Sequence, residues 1–210
     1  MIVGNRMTKE PTTVEPEDLS IRAAHKMRTG RFRRLPVVSD GALVGIVSDR
    51  DLREHHGHLE QIKINNIMSQ NPVTVTAATT IEEAAQIMLE RQIGGLPVVA
   101  DGHVVGMITT SDIMRAFLDV MGASHGGSTR IDFVLEGEEH GFNQATRIVA
   151  REGGEILGVG TYREKLGDSP VCYLRLLAGN PDTIAKALRS SGFNVMGVHR
   201  IGGGKTLTES

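Results

Sequence analysis

The 210-residue chain carries 23 Lys and Arg against 25 Asp and Glu, a formal net charge of −2, so no global positive field recruits nucleic acid or an anionic membrane. Aromatics are 3 % of residues and Trp is absent, so the core must come from Val, Ile, Leu, Ala and Met, while 40 % hydrophobic and 23 % charged residues mark a folded protein rather than a disordered one. The single cysteine, Cys172, excludes an internal disulfide framework and an all-cysteine zinc site, no apolar run approaches the ~20 residues of a membrane span, and the first residues show no signal-peptide pattern; the expectation is a soluble cytoplasmic protein.

Along the chain the first signal is self-similarity. Met7-Thr8-x-x-Pro11-x-Thr13-Val14 returns as Met68-Ser69-x-x-Pro72-x-Thr74-Val75. Leu35-Pro36-Val37-Val38 returns as Leu96-Pro97-Val98-Val99. Gly45-Ile46-Val47-Ser48-x-x-Asp51-Leu52 returns as Gly106-Met107-Ile108-Thr109-x-x-Asp112-Ile113, and every offset is 61 residues. Residues 1–61 and 62–121 are therefore two copies of one unit.

Each copy reads as strand, helix, hairpin, helix. In the second, Val73-Thr74-Val75 is β-rich. Thr80 and Glu83 have capping-box spacing. Ile81, Ala84, Ala85, Met88 and Leu89 then form an apolar helical stripe. Two apolar runs flank Asp101-Gly102, and in the first copy Asp40-Gly41; Asp-Gly supplies the two positive-φ positions of a tight hairpin turn. A last helix carries Ile113, Phe117 and Val120. A unit of about 60 residues buries little surface alone, so the copies are expected to cover each other's sheets as one module.

Residues 122–128, Gly-Ala-Ser-His-Gly-Gly-Ser, have linker composition. Beyond them the repeat does not return. Arg130 to Leu135 alternates like a strand, and Phe142 to Arg151 is helical with Phe142, Ala145, Ile148 and Val149 apolar. Ile156 to Tyr162 and Val171 to Leu177 read as strands. Asp182 to Ser190 is helical with Ile184, Ala185 and Leu188 apolar, and Asn194 to His199 is a closing strand. Residues 129–201 thus follow the βαββαβ order of ferredoxin-like folds. The tail, 202–210, is expected to be disordered. The whole is an α+β/α/β chain.

The recurring Gly-h-h-Ser/Thr-x-x-Asp block sits where a strand ends and a helix begins. Free N–H groups there suit a phosphate. Ser48 and Thr109 add a hydroxyl, and Asp51 and Asp112 a carboxylate that can accept ribose hydroxyls. The same residues also make a plain N-cap with a stabilising acid in the first turn.

On these blocks, residues 1–121 resemble a tandem pair of CBS domains. The resemblance implies one compact module with two clefts for adenosyl compounds: AMP, ADP or ATP, with NAD or S-adenosylmethionine in some members. It implies phosphate contacts from Ser48 and Thr109, ribose contacts from Asp51 and Asp112, and a base facing the backbone near Thr13 and Thr74. The first copy also holds Arg28, Arg31, Arg33 and Arg34, where the second has Leu89, Gln92, Gly94 and Gly95. Arg34, and after it Arg33, are the candidate phosphate arginines; a solvated helix end is the other reading of the cluster. The cleft these arginines serve is expected to prefer the more phosphorylated ligand. His55-His56-Gly57-His58 reads as a loop rather than a metal site, and Cys172 as a buried small hydrophobe.

Residues 129–201 resemble an ACT domain in element order, and the combined architecture resembles the acetoin-utilisation AcuB-type proteins. That resemblance implies an effector site at Gly141 and Phe142, beside the acidic loop Glu136-Gly137-Glu138-Glu139-His140. The function expected is regulatory ligand sensing, not catalysis: an adenine nucleotide as regulatory ligand, no metal, a small effector or dimerisation at the C-terminal domain, and an unidentified target protein. The alternatives are an enzyme built on the acidic loop with His140, or an oligomerisation adaptor without ligand. A homodimer is expected, held by the faces of Ile113, Phe117 and Val120 and of Ile184 and Leu188.

Overall fold

The two copies exchange their first residues. In the computed structural model, which describes residues 1–124, 126–135 and 141–200, the first copy comprises β1 (Thr8–Lys9), α1 (Ser20–Gly30), β2 (Arg34–Ser39), β3 (Ala42–Ser48) and α2 (Asp49–Glu54). The second comprises β4 (Ser69–Gln70), α3 (Ile81–Arg91), β5 (Gly95–Ala100), β6 (His103–Thr109) and α4 (Thr110–Val120). β2 and β3 form one antiparallel hairpin, β5 and β6 the other. Their turns have Asp40 and Gly41 at φ 50° and 82°, and Asp101 and Gly102 at φ 50° and 79°, as the Asp-Gly pairs require.

β1 does not pair within its own copy. Thr8 and Lys9 lie opposite Met107 and Gly106 of β6, and Ser69 and Gln70 of β4 lie opposite Ile46 and Gly45 of β3. The preceding residues follow: Val3 is fully buried in the second copy's core with Ile81, Met88, Leu96 and Ile108, and Ile64, its counterpart, in the first copy's core with Val14, Leu35 and Val47. The Val3 N–H donates to the Thr79 carbonyl at 2.8 Å, and the Ser20 N–H to the Ile62 carbonyl at 2.8 Å. The hairpins meet at Ala42 and His103. The expected mutual covering is thus achieved by trading segments. Gly45 and Gly106 permit it: a Cβ on Gly45 would lie 2.6 Å from Met68 Sδ, and one on Gly106 2.5 Å from Met7 Sδ.

Three expectations for this part change. The strand at Val73-Thr74-Val75 is a single parallel bridge, Val75 to Val98, matched by Val14 to Val37. Leu89 is 79 % exposed, because Ile81, Ala84 and Met88 already fill the buried face of α3. Phe117 and Val120 are exposed while Ile113 and Ala116 are buried on α4.

The chain divides into two units, Met1–Ala116 and Phe117–Ser210. In the second, β7 (Thr129–Val134), α5 (Gly141–Arg151), β8 (Ile156–Tyr162), β9 (Val171–Leu176), α6 (Pro181–Ser190) and β10 (Asn194–Arg200) follow the βαββαβ order. The sheet runs β10-β7-β9-β8, antiparallel throughout. Alternation sorts its faces. Ile131, Phe133, Cys172, Leu174 and Leu176 pack with Ala145, Ile148 and Val149 of α5 and Ile184, Ala185 and Leu188 of α6. The other face carries Arg130, Asp132, Tyr173 and Arg175: Arg130 pairs with Asp132 at 2.6 Å and lies 4.6 Å over the Tyr173 ring.

Phe142 is exposed, outside the buried stripe expected of it. Ile184 and Leu188 are fully buried and Ile113 nearly so within their own cores, so they cannot form the dimer faces expected of them. Of the residues expected as linker, Ser128 is fully buried and its Oγ accepts from Arg175 at 3.3 Å. Cys172 is fully buried, and burial pushes its thiol from 9.0 up to about 11. The acidic loop 136–140 and the tail lie outside the described residues. Among the described residues no helix is long and apolar enough to cross a membrane.

Candidate functional site

β3 ends at Ser48, whose extended backbone (φ −116°, ψ 166°) caps α2. Asp51 Oδ2 accepts from the Ser48 N–H at 2.7 Å and from Ser48 Oγ at 2.7 Å, while Ser48 Oγ faces the Asp51 N–H at 3.4 Å. This is a reciprocal capping box. It does not exclude a ligand role: it consumes one carboxylate oxygen and orients the other. Among the described residues Asp51 Oδ1 has no hydrogen-bond partner.

The second copy repeats the cap and then departs from it. Asp112 Oδ2 accepts from the Thr109 N–H at 2.9 Å and from Thr109 Oγ1 at 2.6 Å. Its Oδ1, however, accepts from Arg115 Nη1 at 2.7 Å. The residue matching Arg115 in the first copy is Glu54, which cannot make that contact. One aspartate keeps an open oxygen; the other is bridged.

Because β4 pairs with β3, the segment Ser69–Val73 of the second copy lies along the Ser48–Asp51 cap of the first. Between them opens a cleft of about 820 Å³, within the range of small-molecule sites. Its apolar lining is Ile46, Pro72, Val73, Ile93 and Pro97, and its polar lining includes Ser48, Asp51, Gln70, Asn71 and Gln92. Five arginines, Arg33, Arg34, Arg50, Arg53 and Arg91, face two carboxylates, Asp49 and Asp51.

Of these five arginines only Arg34 is partly buried; the others are exposed. Its Nη1 donates to the Gly94 carbonyl at 3.1 Å, and a Cβ on Gly94 would lie 2.8 Å from the guanidinium, so the glycine makes room for it. Burial lowers the Arg34 pKa, Asp49 counters this, and Arg33 and Arg50 lower it further. Arg53 pairs with Asp49 at 2.8 Å. No carboxylate among the described residues pairs with Arg33, Arg50 or Arg91.

The arginine cluster read from the sequence is therefore split. Arg33 and Arg34 reach the cleft with Ser48 and Asp51; Arg28 and Arg31, at the end of α1, do not line it. Arg50, Arg53 and Arg91 were missed. Arg50 and Arg53 flank Asp51 in the chain and could have been found, but Arg91 arrives only through the exchange of segments. Thr74 follows Val73, one residue beyond the lining. The Thr13 carbonyl accepts from Lys26 Nζ at 2.6 Å. Gly141 opens α5, where a Cβ would lie 3.0 Å from Leu135 Cδ2. His55 Nδ1 lies 2.9 Å from the Asp51 carbonyl and the following Gly57 has φ 103°.

The model of the CBS domain matches residues 3–57 and 64–119. Among solved structures, CBSX2 from Arabidopsis thaliana in complex with AMP is 32 % identical, with a TM-score of 0.51 over 56 % of this chain and 96 % of its own. The CBS domain pair of protein MJ0100, in complex with 5′-methylthioadenosine and S-adenosyl-L-methionine, is 30 % identical, with a TM-score of 0.53 over 56 % of this chain and 99 % of its own. A Vibrio cholerae protein assigned to acetoin utilization (AcuB) is 30 % identical, with a TM-score of 0.53 over 59 % of this chain and 95 % of its own.

Proposed function

The chain belongs to the CBS-domain family, and from that premise we propose that it is a regulatory sensor whose first unit binds an adenine nucleotide. The observation that carries this reading is Asp51, held by its own cap with Oδ1 open, in a cleft with apolar walls and arginines. The adenine lies between Ile46, Val73 and Pro97, the ribose hydroxyls reach Asp51 Oδ1, and Arg34 with Ser48 receives the phosphate. Thr109 and Asp112 serve the second cleft, where the ligand displaces Arg115 from the carboxylate. The AMP complex of CBSX2 supports the ligand class.

The C-terminal unit, an ACT-type domain in this reading, takes a small effector beside Gly141 and Phe142 or joins a second copy. Its βαββαβ order and exposed Phe142 support this. The protein acts by binding and not by catalysis, as a cytoplasmic regulator in carbon metabolism, a place the likeness to AcuB supports. It works as a homodimer; Met114, Phe117 and Leu118, exposed on one face of α4 at i, i+3, i+4 spacing, support that part. Calorimetric titration of the full chain with AMP, ATP and NAD, with hydrolysis measured on the same samples, tests the reading. Saturable binding without turnover is expected.

A further inference from the structure

We propose that the Asp51 cleft is a polyphosphate site: it selects adenosine di- or triphosphate over AMP and rejects the uncharged or cationic adenosyl thioethers and sulfoniums. This rests on the nucleotide reading above and adds to it which phosphate state is sensed and by which residues.

The five arginines of the cleft outnumber its carboxylates, which are two. Their counterparts at the 61-residue offset are Gly94 for Arg33, Gly95 for Arg34, Ser111 for Arg50, Met114 for Arg53 and Gly30 for Arg91. Not one of these five is charged. The duplicated frame therefore carries guanidiniums at these five positions in one copy of the site only, while its caps and hairpin turns are kept at both; the basic residues of the other position are Lys9 in place of Gln70 and Arg31 in place of Gln92, set against Glu10 in place of Asn71. An N-cap or a helix end does not need this, because both copies have the cap and both have the helix end.

Two of the five are already engaged, Arg34 with the Gly94 carbonyl and Arg53 with Asp49. Arg33, Arg50 and Arg91 have no carboxylate partner among the described residues and come from three different elements or junctions, the start of β2, the first turn of α2 and the end of α3. Arg33 and Arg50 sit close enough to Arg34 to oppose its charge. Such convergence is unfavourable until an anion enters. AMP brings a single phosphate, which Arg34 and Ser48 take up. Each further phosphate adds charge that only Arg33, Arg50 and Arg91 can meet, by the charge-assisted, bidentate bonds that guanidinium makes with phosphate. A sulfonium carries the opposite charge into the same field and a thioether carries none, so neither gains. At the second position Lys9 and Arg31 are offset by Glu10 and Asp112, so the preference there is weaker.

Calorimetry on the full chain carrying Asp112→Ala makes the Asp51 cleft the reporter, with ATP, AMP, 5′-methylthioadenosine and S-adenosylmethionine as probes. ATP is expected to bind at least about tenfold more tightly than AMP, a difference the size of one charge-assisted hydrogen bond, and both more tightly than the two sulfur compounds. The ratio shrinks between about 0.1 M and about 1 M salt, as the Debye length falls from about 10 to about 3 Å. Arg50→Ser combined with Arg91→Gln, and separately Arg33→Gln, remove most of the ATP advantage and change AMP affinity less; all three side chains belong to exposed residues, so melting temperatures stay near the parent's. Equal affinities for ATP and AMP, or a ratio indifferent to salt and to these substitutions, overturns the proposal while leaving the nucleotide reading intact. Absence of binding by every adenosyl probe, or affinities unchanged by Asp51→Asn, overturns the nucleotide reading itself and this assignment with it.

Discussion

At the level of single residues the carboxylate of Asp51 has two duties, and they can be separated. Asp51→Asn keeps an oxygen to accept from Ser48 but loses the charge. It should leave the melting temperature close to the parent's and weaken nucleotide binding by roughly 10–100-fold, the size of a lost charge-assisted bond. Titration calorimetry alongside thermal melting reads both. A large fall in melting temperature with unchanged affinity would mean the cap is the only duty. Cys172 gives a second residue-scale expectation. It is fully buried and its thiol is raised to about 11. The folded pKa exceeds the ordinary 9.0, so keeping the thiol neutral contributes stability that is complete below pH 9.0 and is lost as pH rises through about 11. Cys172→Ala should therefore flatten the alkaline decline of stability. In the parent, a thiol reagent at neutral pH should react only at the rate of unfolding.

At the level of elements, short strands matter more than their length suggests. β1 and β4 have two residues each, yet they are the stitches between copies. Gly45 and Gly106 let them close, because the carbonyls of Ser69 and Thr8 lie 3.0 and 3.1 Å from where a Cβ would stand. Gly45→Val should destabilise the fold by roughly 1–3 kcal/mol through overpacking, read by denaturant unfolding, and Gly106→Val by a similar amount. Gly57, with nothing near its missing Cβ, lacks that steric reason, although its φ of 103° adds a backbone one. At the start of α3, Thr80 Oγ1 accepts from the Glu83 N–H at 3.1 Å. Thr80→Ala should cost about 1 kcal/mol, the usual value of such a cap.

For the whole molecule the exchange sets the cooperativity. Val3 completes the second copy's core and Ile64 the first's. A fragment of residues 1–61 lacks Ile64 and β4, and leaves Val3 and β1 with nothing to pair. Such a fragment should show no cooperative unfolding transition in scanning calorimetry, whereas residues 1–121 should. Ile64→Ala, at a fully buried position, should cost about 2–5 kcal/mol, and hydrogen exchange should rise in both hairpins together.

Much of this was determined by the sequence alone. The 61-residue offset, the Asp-Gly turns, the Ser/Thr-x-x-Asp caps and the βαββαβ order rest on local signals: turn conformations, hydrogen bonds over three residues, and periodicities of one element. What failed locally was the depth of burial. Leu89, Phe117 and Phe142 sit on apolar stripes, but a helix face has room for only some of its apolar residues against a given sheet, and which ones is a matter of packing. The tertiary structure alone decided that the copies trade their first segments. From that follows the make-up of the cleft: Asp51 and Arg33 from one copy, Asn71 and Arg91 from the other, residues tens of positions apart that no spacing rule connects. The sequence already shows that the two copies differ in their arginines; only the exchanged packing brings Arg33, Arg34, Arg50, Arg53 and Arg91 to one cleft, because charge acts through space and not along the chain.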